Sequence, residues 1–291
     1  MSLLLALLLA PVLPGVINRT KAVFAGRQGQ PVLQLYYDLA RLLRKGAVYS
    51  RTTSWLFTLG PSLGLAAVVL VAALVPLPGW GALASFPGDL LVVIGLLAVA
   101  RFFTVLAALD TGSSFEGMGG SREVEFATVA ELVFFLSLAA VVRQGQAHSL
   151  GELCARRDLS LWTHSGPAMA LLLGALFILA LAENSRVPVD DPNTHLELTM
   201  IHEVMVLDHS GPDLAFILYG SALKLWVMGA LLVGLAVPVT HPAAGLACLA
   251  LYGVAIGVVE STTARLALRR VPNYLAVAVA LASLAIMTMV R

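Results

Sequence analysis

The chain has 291 residues, of which 59% are hydrophobic and 12% are charged. Soluble globular proteins carry about 25% charged residues, so this composition indicates a polytopic membrane protein. The formal net charge of +1 provides no global field that would favour nucleic acid. The two cysteines, Cys154 and Cys248, lie far apart and have no Cys-x-x-Cys partner. This argues against a cysteine-bound zinc or iron–sulfur site within the chain.

Eight apolar runs reach or approach the roughly 20 residues that a helix needs to cross a bilayer. They lie at 2–17, 56–77, 89–109, 126–142, 166–183, 214–236, 242–259 and 272–290. We therefore predict an all-α fold, a single integral membrane domain over 1–291 that forms a polytopic bundle of about eight transmembrane helices. The start of the chain resembles the apolar part of a signal peptide but has no basic segment before it, so we expect a retained first span.

Lysine and arginine are unequally distributed between the two alternating sets of loops. One set holds twelve of them, in loops 18–55, 110–125, 184–213 and 260–271. The other side holds four, which are Arg143, Arg156, Arg157 and Arg291. The positive-inside rule then makes the first set cytoplasmic and places both termini outside the membrane.

The first cytoplasmic loop contains a short amphipathic segment at 31–45. Pro31 favours the start of a helix and Gly46 favours its end. Three cations crowd the last turn, where the helix dipole favours them: Arg41, Arg44 and Lys45. The segment is too short and too charged to span, so we predict an interfacial helix along the cytoplasmic surface. The alternative is an ordinary loop helix packed on the bundle.

The cytoplasmic loop 184–213 is acidic and lies between two apolar runs. Six of the chain's 17 acidic residues fall between Glu183 and Gly211. Pro188 and Pro192 interrupt any helix there, because each removes a backbone donor.

A helix is predicted to follow within this loop. Thr194 and Glu197 form a capping-box pattern, and Gly211 with Pro212 supplies a stop signal. Three histidines recur every seven residues on one face of this helix: His195, His202 and His209. That face is either a solvated surface or a docking or protonatable one. His202-Glu203 is not followed by a properly spaced second histidine, so no metal site is assigned.

Charged residues also occur inside the predicted spans. Arg101, Glu131 and Lys224 lie within apolar runs, and Glu183 closes one. An ionised side chain at membrane depth costs several kcal/mol unless it is hydrated or paired. These residues are either structural ion pairs or members of a proton relay, since burial and neighbouring charges tune carboxylates and lysines towards neutral pH. We assign six residues to a candidate proton relay: Glu123, Glu131, Glu183, Asp190, Glu197 and Lys224.

Glycines precede the fourth predicted span, and we expect a flexible segment there. They are Gly112, Gly117, Gly119 and Gly120.

One motif in the acidic loop resembles the signature loop of respiratory complex I subunit 1: Glu183-x-x-Arg186-x-Pro188-x-Asp190-x-Pro192, followed by Glu197-Leu198. The segment with Leu33, Gln34 and Asp38 is similar to a helix of that family, with Leu35 in place of a proline. The chain also departs from the quinone-linked subunits, which usually have glutamates at Asn193 and His195 and leucine at Asp191.

The longer run 182–203 and the segment 115–123 look closer to the membrane subunit of energy-converting nickel–iron hydrogenases. That group includes formate hydrogenlyase subunit 4 and hydrogenase-4 component C. The resemblance implies a complex I subunit 1-like fold in the inner (plasma) membrane of a prokaryote. It also implies that the chain is not catalytic on its own and belongs to an oxidoreductase complex.

The same resemblance implies partners and cofactors. The partners would be a nickel–iron large subunit, a small iron–sulfur subunit and antiporter-like membrane subunits. The nickel–iron centre and the iron–sulfur clusters would lie in those partners, with no cofactor in this chain. The acidic loop would dock the redox arm and link electron transfer to ion translocation. The residues assigned to docking are Arg186, Pro188, Asp190, Asp191, Pro192, His195 and His202.

Two other functions fit parts of the pattern. A quinone-site subunit of a respiratory NADH dehydrogenase-type complex would need an amphipathic cavity under the helix at 31–45. A stand-alone transporter would need broken spans in matching halves, whereas the polar breaks in this sequence lie on one side.

Overall fold

The computed structural model describes residues 1–145, 147–155, 160–190, 200–239 and 241–289. Within these ranges the fold is all-α, which confirms the predicted class, and no strand is present. The α-helices are α1 (Ser2–Leu9), α2 (Val12–Phe24), α3 (Gln34–Leu42), α4 (Trp55–Leu74), α5 (Asp89–Asp110), α6 (Ser114–Gly145), α7 (Leu150–Ala155), α8 (Ser160–Glu183), α9 (Gly211–Ala236), α10 (Pro242–Thr262) and α11 (Val271–Met289). Two short 3₁₀ helices cover Glu203–Val206 and Leu268–Arg270.

Seven of the described helices are long and apolar enough to cross a bilayer. The pair α1 and α2 forms an eighth candidate span, bent by 46° between the two helices. The sequence predicted one continuous run at 2–17, and the break occurs around Pro11, which has no backbone N–H to continue the helical bonding. The prediction of about eight spans is met when this bent pair counts as one.

The bundle is built around α9, which packs against α4, α8, α10 and α3. On one side α4 also packs against α5, and on the other α11 packs against α8 and α6. α10 pairs with α2. Apolar side chains from most of these helices form one continuous core, in which Leu138, Leu172, Leu223 and Ile256 are fully buried.

The fourth span begins earlier than predicted. α6 extends over Ser114–Gly145 and includes most of the glycine-rich segment that was expected to be flexible. A Cβ atom at Gly119 would lie 2.3 Å from Cγ1 of Val204 and 3.0 Å from the carbonyl oxygen of Ile201. The glycine therefore allows close packing of α6 on the 200–206 segment, which is a different role from flexibility.

The prediction of a helix between Thr194 and Gly211 is wrong for the part of that segment that the structure describes. Residues 200–210 contain only the 3₁₀ helix Glu203–Val206, and residues 191–199 lie outside the described ranges. Gly211 and Pro212 do not end a helix. They form the first turn of α9, where a proline sacrifices no helical hydrogen bond.

α3 lies within the predicted segment 31–45 and is shorter than expected. It packs against α9 and α2, and none of its residues is buried. The Tyr36 hydroxyl donates a hydrogen bond to the carbonyl oxygen of Leu8 in α1. Its location at the membrane surface stays a prediction.

Candidate functional site

Arg101 of α5 contacts three carboxylates, of which Glu183 is the most shielded and Glu131 the least, with 8% and 38% of their side chains exposed. Its Nε lies 3.3 Å from Oε1 of Glu123, and one terminal nitrogen lies 2.6 Å from Oε1 of Glu131. The other terminal nitrogen pairs with Glu183, the last residue of α8. The second oxygen of Glu183 accepts a hydrogen bond from Nζ of Lys224 on α9 at 3.2 Å. We call these five residues the Arg101 cluster.

The Arg101 cluster brings together four of the six residues predicted for a proton relay. Glu123, Glu131, Glu183 and Lys224 come from α6, α8 and α9, and Arg101 connects them. Two cations face three carboxylates, so the uptake of a single proton would make the fully ionised cluster neutral.

A cavity of about 70 Å³ lies beside the cluster, between α4, α5 and α9. Its polar lining includes Arg101, Glu123, Lys224 and His202. Its lining also includes Gly60, Pro61, Gly64 and Gly220, which leave space between the helices. A single water needs about 10–15 Å³ in such a measure, so the cavity has room for several. It lies between the cluster and His202 of the segment 200–210.

Asp190 is buried, with an exposure of 1%, although the sequence placed it in a loop above the membrane. Its Oδ2 accepts hydrogen bonds from the amides of Ile201 at 3.2 Å and His202 at 3.1 Å. Its Oδ1 accepts a hydrogen bond from Arg265 at 2.9 Å. A small cavity of about 20 Å³ is lined by Asp190 together with Glu123 and Glu183 of the cluster.

Arg186 pairs inside the protein with Glu260, the residue near the end of α10. One of its terminal nitrogens lies 3.5 Å from Oε1 of Glu260, and Nζ of Lys21 on α2 lies 2.8 Å from Oε2. We call Lys21, Arg186 and Glu260 the Glu260 group. Pro188, next in the motif, follows a cis peptide bond and accepts a hydrogen bond from the Leu266 amide at 2.9 Å.

The two described histidines of the loop are shielded from solvent to different degrees. His209 is buried, and its ring stacks on Phe57 with a centroid distance of 4.0 Å. This contradicts a solvated surface at His209. Burial lowers the pKa of His202, against the raising effect of Glu123, and burial also lowers the pKa of His209. Both imidazoles are therefore held towards the neutral form.

Four assigned residues lie outside the described part of the chain: Asp191, Pro192, His195 and Glu197. Among the residues that the structure does describe, no group of three or more His, Cys, Asp or Glu side chains is placed to hold a metal ion.

Arg101 and Glu260 were not assigned to a site from the sequence. The sequence could have indicated Arg101, because a cation within an apolar run is expected to pair with carboxylates. Glu260 directly follows the run 242–259 and has the pattern of an ordinary residue at a membrane boundary. Its burial between two cations depends on α2 and on the turn after α8, which one-dimensional spacing does not reveal.

The sequence profile described as NADH dehydrogenase matches residues 1–290. The chain belongs to the NADH dehydrogenase family. Hydrogenase-4 component C of Escherichia coli (strain K12) is 30% identical over 233 residues, which are 80% of this chain and 72% of that protein. Formate hydrogenlyase subunit 4 of the same organism is 28% identical over 229 residues, covering 79% and 73% of the two chains.

A quinone-linked relative is also similar to this NADH dehydrogenase family member. A subunit of the NADH-quinone oxidoreductase of Geobacillus thermodenitrificans (strain NG80-2) is 26% identical over 220 residues, covering 75% of this chain and 64% of that protein. A chain of the membrane-bound sulfane sulfur reductase, an archaeal respiratory membrane complex, superposes with a TM-score of 0.82 at 19% identity. The superposition covers 98% of this chain and 96% of that chain, and it shows a shared fold.

These comparisons confirm the resemblance to complex I subunit 1 and to hydrogenase membrane subunits. Together with the candidate spans, they make the chain a multi-span membrane subunit of the type found in complex I-like respiratory or hydrogenase complexes.

Proposed function

We propose that the chain is the membrane-anchoring subunit of a complex I-like energy-converting hydrogenase of the formate hydrogenlyase type. It docks the redox arm at the cytoplasmic face and couples electron transfer to ion translocation. The observation that carries this proposal is the Arg101 cluster, in which one guanidinium joins three carboxylates and a lysine contacts one of them. The similarity to two hydrogenase subunits of Escherichia coli supports the hydrogenase type.

The electron carriers of such a complex lie in neighbouring chains. The partners we propose are a nickel–iron large subunit, a small iron–sulfur subunit and antiporter-like membrane subunits. This chain then contributes the groups that bind and release protons, and the loop that holds the redox arm in place.

The members of the cluster have different roles in proton transfer. A guanidinium keeps its proton in proteins, so Arg101 acts as an electrostatic bridge and does not carry protons. Glu123, Glu131, Glu183 and Lys224 are the members that exchange protons. Two of them, Glu123 and Lys224, line the adjacent cavity, which has room for water on the path to the cytoplasmic side. A small movement of Arg101 or Lys224 would change how strongly Glu183 holds a proton, because each of them contacts one of its oxygens.

The docking role belongs to the loop as a whole. The side chains of Arg186 and Asp190 are mostly shielded, so they support docking by fixing the shape of the loop and not by touching a partner.

The proton relay is tested by Glu131→Gln and Glu183→Gln in the intact complex, singly and together. Glutamine keeps size and hydrogen bonding but removes titration. We expect electron transfer to be retained while proton translocation into vesicles is lost. Glu125→Gln is the matched control, because Glu125 is an exposed residue of the same helix α6. Unchanged translocation per electron in both single variants and in the double variant would show that the carboxylates are structural.

A quinone-site function remains the second candidate, and one observation favours it. A cavity of about 290 Å³ lies just after α3 and combines apolar and polar lining. Its lining residues are Val48, Tyr49, Ser50, Thr53, Phe57, Asp208 and Ser210. Stoichiometric ubiquinone or menaquinone in the purified complex, lost on replacing Tyr49 and Phe57 with alanine, would favour this candidate over the first.

A further inference from the structure

A second buried ion-pair group lies outside the Arg101 cluster. The Glu260 side chain is fully shielded, with 0% of it exposed, and it contacts Lys21 at 2.8 Å and Arg186 at 3.5 Å. Lys21 belongs to α2, Glu260 lies near the end of α10, and Arg186 follows α8. One carboxylate therefore joins three segments that are distant in the sequence.

On one side of this group, α10 packs closely against α2 at two glycines. Gly253, Gly257 and Glu260 are spaced by four and three residues, so they share one face of α10. A Cβ atom at Gly253 would lie 2.9 Å from Cδ1 of Leu13. A Cβ atom at Gly257 would lie 2.7 Å from Cβ of Thr20. Small residues at such a contact let two membrane helices approach closely, and here they hold Lys21 against Glu260.

On the other side, residues 186–190 are attached to residues 260–266 at three points. Arg186 pairs with Glu260, and the Leu266 amide donates a hydrogen bond to the carbonyl oxygen of Pro188 at 2.9 Å. Arg265 pairs with Asp190, also at 2.9 Å. The end of α10 and the residues after it therefore contribute to holding Asp190 in place.

Asp190 extends this connection towards the Arg101 cluster. It accepts hydrogen bonds from the amides of Ile201 and His202, and His202 lines the cavity that also contacts Arg101 and Lys224. A continuous series of contacts thus leads from α2, through Glu260 and the turn at 186–190, to the cavity beside the cluster.

We propose that Glu260 is a positioning residue that couples the packed helices α2 and α10 to the turn bearing Asp190. Each oxygen of the buried Glu260 carboxylate contacts a different cation, Lys21 at Oε2 and Arg186 at Oε1. Losing either contact leaves a shielded carboxylate oxygen without its partner, which is costly, so α2, α10 and this turn move together. Through Asp190 the Glu260 group sets the place of His202 beside the Arg101 cluster. The consequence for proton translocation rests on the proposed function, whereas the coupling of the segments does not.

Amide hydrogen exchange in the intact complex tests the coupling directly. Glu260→Gln and Lys21→Met raise exchange at the amides of Ile201 and His202 by about tenfold, equivalent to about 1.4 kcal/mol. Lys21→Arg keeps the charge, so exchange at these two amides stays close to the rate in the parent protein. Arg41→Gln is the matched control, because it removes the exposed ion pair between Arg41 and Asp38 on α3. Exchange that rises only within α2 and α10 would overturn the proposal.

A second variant separates the helices while keeping every charge. Gly257→Ala forces α2 away from α10 at Thr20, and it raises exchange at Ile201 and His202 as Glu260→Gln does. Gly95→Ala on α5 is the control, since a Cβ atom there meets nothing within 4 Å. If Gly257→Ala leaves both amides at the parent rate, Glu260 does not transmit the position of α2 and the proposal fails.

Proton translocation then distinguishes a positioning role from simple stabilisation. In assembled complexes with parent rates of electron transfer, Lys21→Met and Glu260→Gln lower the number of protons moved per electron and shift its pH profile, and Lys21→Arg restores both. If the Lys21→Met variant moves as many protons per electron as the parent protein, with the same pH profile, this role is contradicted. If Glu131→Gln and Glu183→Gln also translocate normally, the relay itself fails, and the exchange result still decides the coupling of the segments.

Discussion

Arg101 is the residue on which the polar interior of the bundle depends. Its side chain is 10% exposed and contacts Glu123, Glu131 and Glu183 at once. A planar guanidinium presents five N–H donors in a fixed arrangement, which suits several carboxylates approaching from different directions. The three carboxylates contact three different nitrogens of Arg101, whereas a lysine carries all its donors on one nitrogen and cannot reproduce that spacing.

We predict that Arg101→Gln strongly destabilises the protein and that Arg101→Lys does so to a smaller extent. Removing one partner from a buried ion pair typically costs about 3–5 kcal/mol, and here three carboxylates lose the same cation. The midpoint of thermal unfolding of the purified complex measures the effect. Arg143→Gln is the control, because Arg143 is exposed on α6. Equal midpoints for the Arg101→Gln and Arg143→Gln variants would contradict the central role of Arg101.

His202 gives a prediction about pH at the same scale. Burial lowers its pKa below the ordinary 6.5, so the folded protein binds a proton there less readily than the unfolded chain. The neutral imidazole therefore favours the folded state above pH 6.5, and this contribution is lost as the pH falls towards the lower folded pKa.

His202→Gln should remove part of the loss in thermal stability that the parent protein shows on acidification below pH 6.5. The burial of His209 acts in the same direction, so the double variant with His209→Gln should be the least sensitive to acid. Melting curves on both sides of pH 6.5 measure this. A parent-like acid sensitivity in the double variant would contradict the assignment.

At the scale of helices, the sequence predicted spans well where apolar runs are uninterrupted. The runs at 89–109 and 214–236 correspond closely to α5 and α9. It predicted poorly where tertiary contacts override local signals. The glycines before 126 suggested flexibility, yet Gly119 lets α6 pack against residues 200–206. The capping pattern at Thr194 suggested a long helix, yet residues 200–210 follow an irregular path held by Asp190.

The same difference applies to the candidate site. The sequence identified Glu131, Glu183 and Lys224 because they are charged residues within or at the end of apolar runs. Burying such a charge in a membrane is costly, so its presence there indicates a pairing or functional role. Their convergence on Arg101 required the packing of α5, α6, α8 and α9, which periodicity does not encode. Glu260 was missed for the corresponding reason, since only the fold makes it buried.

Gly119 provides a prediction at the scale of helix packing. Gly119→Ala should destabilise the protein by about 1–3 kcal/mol, the usual effect of overpacking. It should also displace Glu123, one turn further along α6, from Arg101. Gly117→Ala is the matched control, because a Cβ atom there would lie 3.9 Å from Cδ2 of Leu109, an ordinary contact. Thermal unfolding should separate the two variants, and equal stability would contradict the close packing at Gly119.

At the scale of the whole molecule, the two ends of the bundle are built differently. The end with α2, α10 and the turn after α8 contains buried ion pairs around Glu260 and Asp190. At the opposite end, Asp89 is buried and accepts a hydrogen bond from the Leu150 amide at 2.8 Å, which fixes α7 at the start of α5. Ion pairs thus connect the segments at one end of the bundle. At the other end, a carboxylate that accepts a hydrogen bond from a backbone amide connects α5 to α7.

The orientation of these two ends in the membrane is the last prediction. Twelve Lys and Arg residues in one set of loops against four on the other side place the end with the ion pairs in the cytoplasm. An even number of spans then puts both termini outside. The test uses a background with Cys154→Ala and Cys248→Ala, into which Ser50→Cys or His148→Cys is introduced. Both positions are exposed, and they lie in loops predicted on opposite sides.

We expect a membrane-impermeant maleimide to label the Ser50→Cys variant only in inverted vesicles and the His148→Cys variant only in intact cells or spheroplasts. Labelling of the His148→Cys variant from the cytoplasmic side alone would reverse the orientation and move the proposed docking loop away from a cytoplasmic redox arm. Labelling of both variants from the same side would require an even number of spans between them, whereas the fold has the three candidate spans α4, α5 and α6 there. The assignment of the bent pair α1 and α2 to one span can be checked in the same background with a cysteine inserted directly after Met1. That cysteine should behave as His148→Cys does, because the bent pair adds a fourth span between the two positions and so returns the chain to the side on which it began.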